Sequence, residues 1–323
     1  MSAYPKQNPT THINLREVKN WIYSPTETLW RADKNMNIKV THSLRQFGTG
    51  TITQVLADRI RRQVHLIKDN PHNVNIPEEI KQTAKPLTDG PMANVEHITI
   101  QKNTISITTS ETSWYKYLAG AYRYGYNQGE NPSRPLTVLT VLYTQRGDIL
   151  LEKRGATIDF PNSYGACGGA LRPEETNIKQ AALERIQRKW GIDVDRKELQ
   201  LTGMGRENLG NIYCLFFMST IDQELANKIA GERENFSLVK SSELKEFLEK
   251  TPIPQVLEGK LSFPWNFLGR EGMLLAAEKI GTLSPQNIED VKKYTSSNLS
   301  QQFQQYRYPV EEILGKHIVE PFP

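Results

Sequence analysis

The sequence predicts an α/β protein, and three observations carry that prediction. From Leu136 onward, β-branched apolar runs alternate with segments of helical apolar period, the pattern of strands interleaved with helices. The longest apolar runs, Val138 to Leu142 and Tyr213 to Met218, have the length of buried strands and fall far short of a membrane span. A chain of 323 residues with 37% hydrophobic and 9% aromatic residues has the length of two domains and the composition of packed cores rather than of disorder.

The elements follow in order. Residues 1–13 are polar and Pro-containing and read as a flexible arm; no apolar stretch follows a basic start, so no secretory signal is expected. Residues 14–130 are expected to form a smaller α+β domain. In it, Leu15 to Ile22 is weakly helical and Asn37 to Thr41 alternates like a strand. Between Thr51 and Lys68, the residues Ile52, Val55, Leu56, Ile60, Val64 and Ile67 share one helical face, with Arg59, Arg61 and Arg62 opposite. Pro71 to Pro91 reads as a long loop, and His97 to Ile100 with Thr104 to Thr108 as a hairpin across Gln101-Lys102-Asn103. Trp114, Tyr115, Tyr117, Tyr122, Tyr124 and Tyr126 then crowd together, and Gly125, Gly129, Pro132 and Pro135 mark a boundary near residue 130.

The second domain is expected over 134–282. Leu136 to Tyr143 and Ile149 to Lys153 read as strands about the turn Gln145 to Asp148, followed by a Gly-rich loop, Gly165 to Gly169, and a helix from about Glu174 to Trp190. Strands at Leu199 to Met204 and Asn211 to Ser219 precede helices at Ile221 to Ala230 and Ser241 to Lys250 and an amphipathic helix at Phe267 to Ile280. Residues 283–323 read as a helical or extended tail.

Charge and cysteine content narrow the class. Lys and Arg number 40 against 36 Asp and Glu, a net charge of +4, too small by itself to imply nucleic acid. Residues 1–130 hold 16 of the bases and 11 of the acids, so the excess sits in the first part. Two cysteines exclude a disulfide scaffold, and a soluble cytoplasmic protein without membrane contact is expected. No zinc spacing, P-loop or dinucleotide Gly pattern occurs, and no Ser stands in a Gly-x-Ser-x-Gly context.

The segment Cys167 to Ile192 reads C-G-G-A-L-R-P-E-E-T-N-I-K-Q-A-A-L-E-R-I-Q-R-K-W-G-I. With its preceding strand, turn and strand ending at Arg154, and with Glu234 to Leu248 beyond, it resembles the Nudix family over about residues 134–282. The matches are Gly169 with Glu175 six positions later, Ala181, Ala182, Ile186, and Gly191-Ile192. The resemblance implies an α/β/α sandwich with a mixed sheet. In the family, three glutamates on the box helix bind Mg²⁺ or Mn²⁺, and the metal bridges a diphosphate and activates water. Aligned on Gly191, this sequence puts Arg185, Arg188 and Lys189 at those positions, with Glu184 where the family has Arg. The box is degenerate, and its acidic face has become basic.

Three expectations follow. In the first, the chain binds a nucleotide or other phosphorylated small molecule through Arg185, Arg188, Lys189, Arg154 and the backbone of Gly168 and Gly169, with metal-dependent hydrolysis lost or altered. The alternative for those side chains is an ordinary solvated helix face. In the second, the chain is a Nudix-type pyrophosphohydrolase that cleaves a nucleoside diphosphate linked to another group. Glu184 and Glu175 would then be catalytic, with Mg²⁺ or Mn²⁺ on ligands drawn from Glu174, Glu175, Glu184, Glu207 and Glu234. For Glu174 and Glu175 the competing role is helix first-turn stabilisation. In the third, the chain is an RNA-binding or protein-interaction module using Arg59, Arg61 and Arg62. Cys167 and Cys214 read as buried core residues. The aromatic cluster around Trp114 could stack a flat ligand or pack between domains.

Overall fold

The computed structural model describes residues 11–12, 26–32, 37–46, 51–74, 76, 78, 81, 84–85, 88–101, 104–124, 133–154, 163–207, 211–250, 255–257, 260–262 and 267–299. The helix expected at Leu15 to Ile22, the turn residues Lys102 and Asn103, Tyr126, and the last part of the tail lie outside them. So do the side chains of Ile52, Tyr122 and Tyr124.

The architecture is mixed α/β. In chain order it comprises β1 (Thr11–His12), β2 (Thr26–Arg31), β3 (Asn37–Gln46), α1 (Thr51–Asp69), β4 (Pro91–Gln101), β5 (Thr104–Ser113) and α2 (Trp114–Tyr124). Then follow β6 (Leu136–Thr144), β7 (Ile149–Lys153), β8 (Tyr164–Gly165), β9 (Cys167–Ala170), α3 (Ile178–Trp190), β10 (Gln200–Glu207), β11 (Ile212–Ile221), α4 (Gln223–Glu232) and β12 (Phe236–Val239). The chain continues with α5 (Leu244–Lys250), β13 (Gln255–Leu257), β14 (Lys260–Ser262), α6 (Phe267–Ile280) and α7 (Pro285–Leu299). Among the described residues no helix is long and apolar enough to cross a membrane.

The large sheet runs β12-β7-β6-β11-β10-β2, with β8 paired to β7 and β9 paired to β6. The pair β6 and β11 is parallel, and the other pairings in this sheet are antiparallel. Because successive strand residues point to opposite faces, β6 and β11 divide their side chains between two cores. Leu136, Val138, Leu142, Leu215 and Phe217 face α3 and α4 on one side. Val141 and Met218 on the other side join Met273, Leu274, Ala276 and Ala277 of α6, and Phe216 meets Leu275. Helices therefore cover both faces of the central strands, as the two near-continuous apolar runs require.

The smaller sheet, β1-β4-β5-β3, combines a β4–β5 hairpin with β3 laid parallel to β5. Its strands outrun the sequence expectation: β3 extends to Gln46, and β4 and β5 are 11 and 10 residues long. Thr11 and His12, assigned to the arm, pair with Ile100 and Thr99. Ile98, Ile100, Ile105 and Ile107 share a core with β6 and α3, and the buried face of α1 shares one with β11 and α6. Leu56, Ile60, Val64 and Ile67 of α1 are buried as the periodicity predicts, but Val55, placed on the same face, is 52% exposed.

Strand β2 ties the first part of the chain into the large sheet through its pairing with β10. Helix α6 locks it there. Glu271, buried, accepts hydrogen bonds from Thr28 and Thr26 of β2 and from Lys292 of α7 at 3.1 Å. Arg31 pairs with Glu278, and the Lys279 ammonium donates to the Ala32 carbonyl at 2.8 Å. The amphipathic character expected of Phe267 to Ile280 is not observed, since Leu268 through Ala277 are buried, Arg270 and Glu271 included. The helix is roofed by α7 as well as seated on the sheet, so its polar residues bond inward. Burial pushes the Glu271 carboxyl up, but Lys292, Thr28 and Arg270 together hold it below the ordinary range. Removing one partner of such a buried ionic cluster costs about 3–5 kcal/mol. Glu271→Ala is therefore expected to lower the urea midpoint by a shift worth about 3 kcal/mol or more, with β2 amides losing hydrogen-exchange protection first.

Candidate functional site

The cleft arises where β6 changes partner. At its C-terminal half β6 pairs with β7 (Leu142 with Leu150, Tyr143 with Ile149), and at its N-terminal half with β9 (Thr137 with Ala170 through Thr140 with Cys167). Between the diverging β7 and β9 lies a cavity of about 220 Å³. It is lined by Glu152, Arg154, Gly168, Gly169 and Lys189 and by the apolar side chains of Trp114, Pro135, Leu139, Ile212 and Leu268. The Gly-rich loop expected at Gly165 to Gly169 is in fact two short strands, β8 and β9. Gly168 is required there by contact: a Cβ would come within 2.0 Å of the Val138 carbonyl oxygen.

Helix α3 supplies the cations. It begins at Ile178, four residues later than expected, with the Asn177 side chain accepting from the Gln180 N–H at 3.2 Å. It ends at Gly191, whose φ of +70° closes a left-handed cap with its N–H on the Gln187 carbonyl, a conformation that favours glycine. Glu174 and Glu175 thus precede the helix and do not lie in its first turn. Glu174 is exposed, 3.9 Å from Arg172.

The three basic residues expected to form one ridge go three ways. Arg185 is buried. Its guanidinium donates to both Glu175 carboxylate oxygens at 3.0 and 2.8 Å and to the carbonyls of Ala181 and Ala170. Arg188 is exposed to solvent. Lys189 is exposed along its stem, but its ammonium turns into the cleft and donates to the Gly168 carbonyl. A Cβ on Gly169 would lie 3.5 Å from that ammonium, so the glycine leaves the cation open to the cleft. Arg154, just past β7, has its backbone N–H on the Ser163 carbonyl at 2.8 Å and its side chain in the cleft lining.

The electrostatics follow from these contacts. Burial and repulsion from Arg154 and Arg185 hold the Lys189 amine below its ordinary pKa, while Cys167 and Glu152 pull the other way. Glu175 shows the opposite balance: burial pushes its carboxyl up, and the bonds from Arg185 and the Arg172 N–H (2.6 Å) outweigh it and hold the carboxyl low. Cys167 is buried, its thiol pushed up by that burial to about 12, and it donates to the Arg185 carbonyl. It is a core residue and not a thiolate nucleophile.

The glutamates proposed as metal ligands do not converge. Glu175 is committed to Arg185, and Glu184 is exposed and accepts from Gln180 at 3.0 Å. Glu207 lies in β10 and not in a loop, and is buried; Glu234 is exposed in the turn before β12. Among the described residues no group of three His, Cys, Asp or Glu side chains is placed to share an ion. The residues present do not fit a Mg²⁺ or Mn²⁺ site, because the Gly168 carbonyl already faces an ammonium and Arg154 lines the same cleft. Nor does α1 present a bare basic face: Arg61 is bound to Asp58 and Asp89.

Sequence reasoning missed Glu152. Its carboxylate accepts from the Trp190 indole N–H at 2.8 Å and from Asn235 at 3.3 Å, and it sets the acid wall of the cleft. Its place near the end of β7, an interior strand between β12 and β6, gave no signal, since the partner lies 38 residues away.

No protein-family model matches the chain, and no curated protein does. Among solved structures it is similar to a MutT/Nudix family protein from Listeria innocua, with a TM-score of 0.32 and 17% identity over 46% of this chain and 94% of that one. It is also similar to the Nudix domain of Shewanella oneidensis NrtR crystallised with ADP-ribose, with a TM-score of 0.33 and 14% identity over 52% and 99%. Shewanella oneidensis NrtR complexed with a 27mer DNA gives a TM-score of 0.34 and 14% identity over 53% and 80%.

The Arg185–Glu175 pair gives a pH test. The folded Glu175 pKa lies below its unfolded value, so the stabilisation is complete above the unfolded pKa, about 4.3, and is lost as pH falls through the lower folded value. Urea denaturation of the wild type and Glu175→Gln is expected to differ by about 3 kcal/mol at pH 7. The gap should close as the pH drops below about 4.

Proposed function

We propose that the chain is a Nudix-fold protein that binds a nucleotide or other phosphorylated small molecule in the β7–β9 cleft, with the family's metal-dependent hydrolysis lost. The order strand, turn, strand, then β9 leading into α3 supports the family reading, as do Gly169, Glu175, Ala181, Ala182, Ile186 and Gly191 at the box positions. One observation carries the functional reading: the Lys189 ammonium, seated on the Gly168 carbonyl and beside Arg154 in the cleft lining. Two cations against Glu152 leave the charged part of the lining net positive, which suits a phosphoryl group held by charge-assisted hydrogen bonds. Arg185 contributes by position. Paired with Glu175, it fixes β9 to α3 and so places Lys189.

Arg188 plays no part in this account, and Glu184 and Glu175 have no catalytic role in it. The two cysteines are free and buried, in keeping with a cytoplasmic setting.

Calorimetric titration with inorganic phosphate and with AMP in EDTA tests this. Both ligands are expected to bind without divalent metal, Lys189→Gln to weaken binding about tenfold or more, and Arg188→Gln to leave it within twofold. Metal-dependent release of phosphate from a nucleoside diphosphate derivative at about 1 s⁻¹ or faster, the range of ordinary enzymes, contradicts the proposal. So does binding that appears only with Mg²⁺.

A further inference from the structure

The cleft is lined by both charged and apolar groups, and its ligand must match both. Resting on the phosphate-binding reading, we infer that the ligand carries one planar ring, stacked on Trp114, joined to a single phosphate held by Lys189 and Arg154. Trp114 comes from α2, outside the segment that resembles a known family, and it reaches the cleft beside Pro135, Leu139, Ile212 and Leu268. These side chains supply the apolar part of the lining, alongside the charged groups of Glu152, Arg154 and Lys189.

Trp114 is also held rigidly. Its indole is stacked on Tyr117, with ring centroids 5.2 Å apart and planes at 29°, and its backbone N–H donates to the Gly90 carbonyl at 3.2 Å. The next N–H, of Tyr115, donates to Asp89 at 3.0 Å, and Asp89 is itself bound by Arg61 of α1. A large aromatic ring fixed before the ligand arrives loses little entropy on binding, which favours stacking. At about 220 Å³ the cavity is smaller than the roughly 300–1,000 Å³ of pockets for drug-sized ligands, which suits one ring and one phosphate better than a dinucleotide.

Four probes test this by calorimetry on the full chain: AMP and CMP, which have ring and phosphate; ribose 5-phosphate, which lacks the ring; and hexyl phosphate, apolar but not planar. AMP or CMP is expected to bind about tenfold tighter than ribose 5-phosphate and hexyl phosphate. Trp114→Leu should bring the nucleotides down to the level of ribose 5-phosphate without changing the latter, and Trp114→Phe should keep most of the advantage. If circular dichroism finds the Leu variant unfolded, the Phe variant and the wild-type ranking decide. Lys189→Gln should weaken all four alike. Equal affinity of the wild type for nucleotides and ribose 5-phosphate overturns the inference and leaves the phosphate reading standing. Tight binding of hexyl phosphate, or an equal loss for every probe in Trp114→Leu, does the same. Failure of all four to bind overturns both.

Discussion

Strand β6 has one edge free of β11 and two strands that need it. β7 takes the C-terminal half and β9 the N-terminal half, and two strands bound to successive halves of one edge must diverge beyond it. That divergence opens the cleft. It also presses β9 against β6 so closely that Gly168 admits no side chain, which leaves the Gly168 carbonyl to accept from α3. The cleft therefore belongs to the sheet topology, and its chemistry is set by whichever α3 side chain reaches that carbonyl.

In this chain the side chain is Lys189. A carboxylate at that position would draw a divalent cation to the carbonyl; an ammonium supplies the positive charge itself. The surrounding charges agree with this assignment. Arg185 would be a further unbalanced cation, but Glu175 folds back from the turn before α3 and pairs with it out of solvent. What remains in the cleft lining is Arg154 and Lys189 against Glu152, a net positive set of charges beside apolar side chains. A buried guanidinium needs its carboxylate partner, so the pair also fixes α3 in rotation and thereby aims Lys189.

The elements were more legible in the sequence than the site. Helix α6 has the bounds expected of it although its amphipathic pattern is absent, and the two apolar runs became the central parallel pair, buried on both faces. The start of α3 was misread because Glu174 and Glu175 look like first-turn acids; Asn177, a better cap, stood three residues on. Spacing placed Arg185, Arg188 and Lys189 on neighbouring helix positions. It could not show that Glu175, ten residues earlier, would claim one of them while β9 claimed another. The same limit hid Glu152 and the β2–α6 contacts, which join residues more than 240 positions apart. Trp114 was conspicuous as a residue, but its place in the cleft depends on how α2 packs against β11 and α6, which no local pattern encodes.

The central claim is the proposed one: Lys189 supplies the positive charge at the Gly168 carbonyl, with no metal ion needed there. Paramagnetic broadening by Mn²⁺ of the backbone amides of Gly168, Gly169 and Lys189 tests it most directly. The account predicts that these amides keep their intensity in millimolar Mn²⁺ in the wild type and that selective broadening appears only when Lys189 is replaced by glutamate. Selective broadening of the same three amides in the wild type at micromolar Mn²⁺ would contradict it.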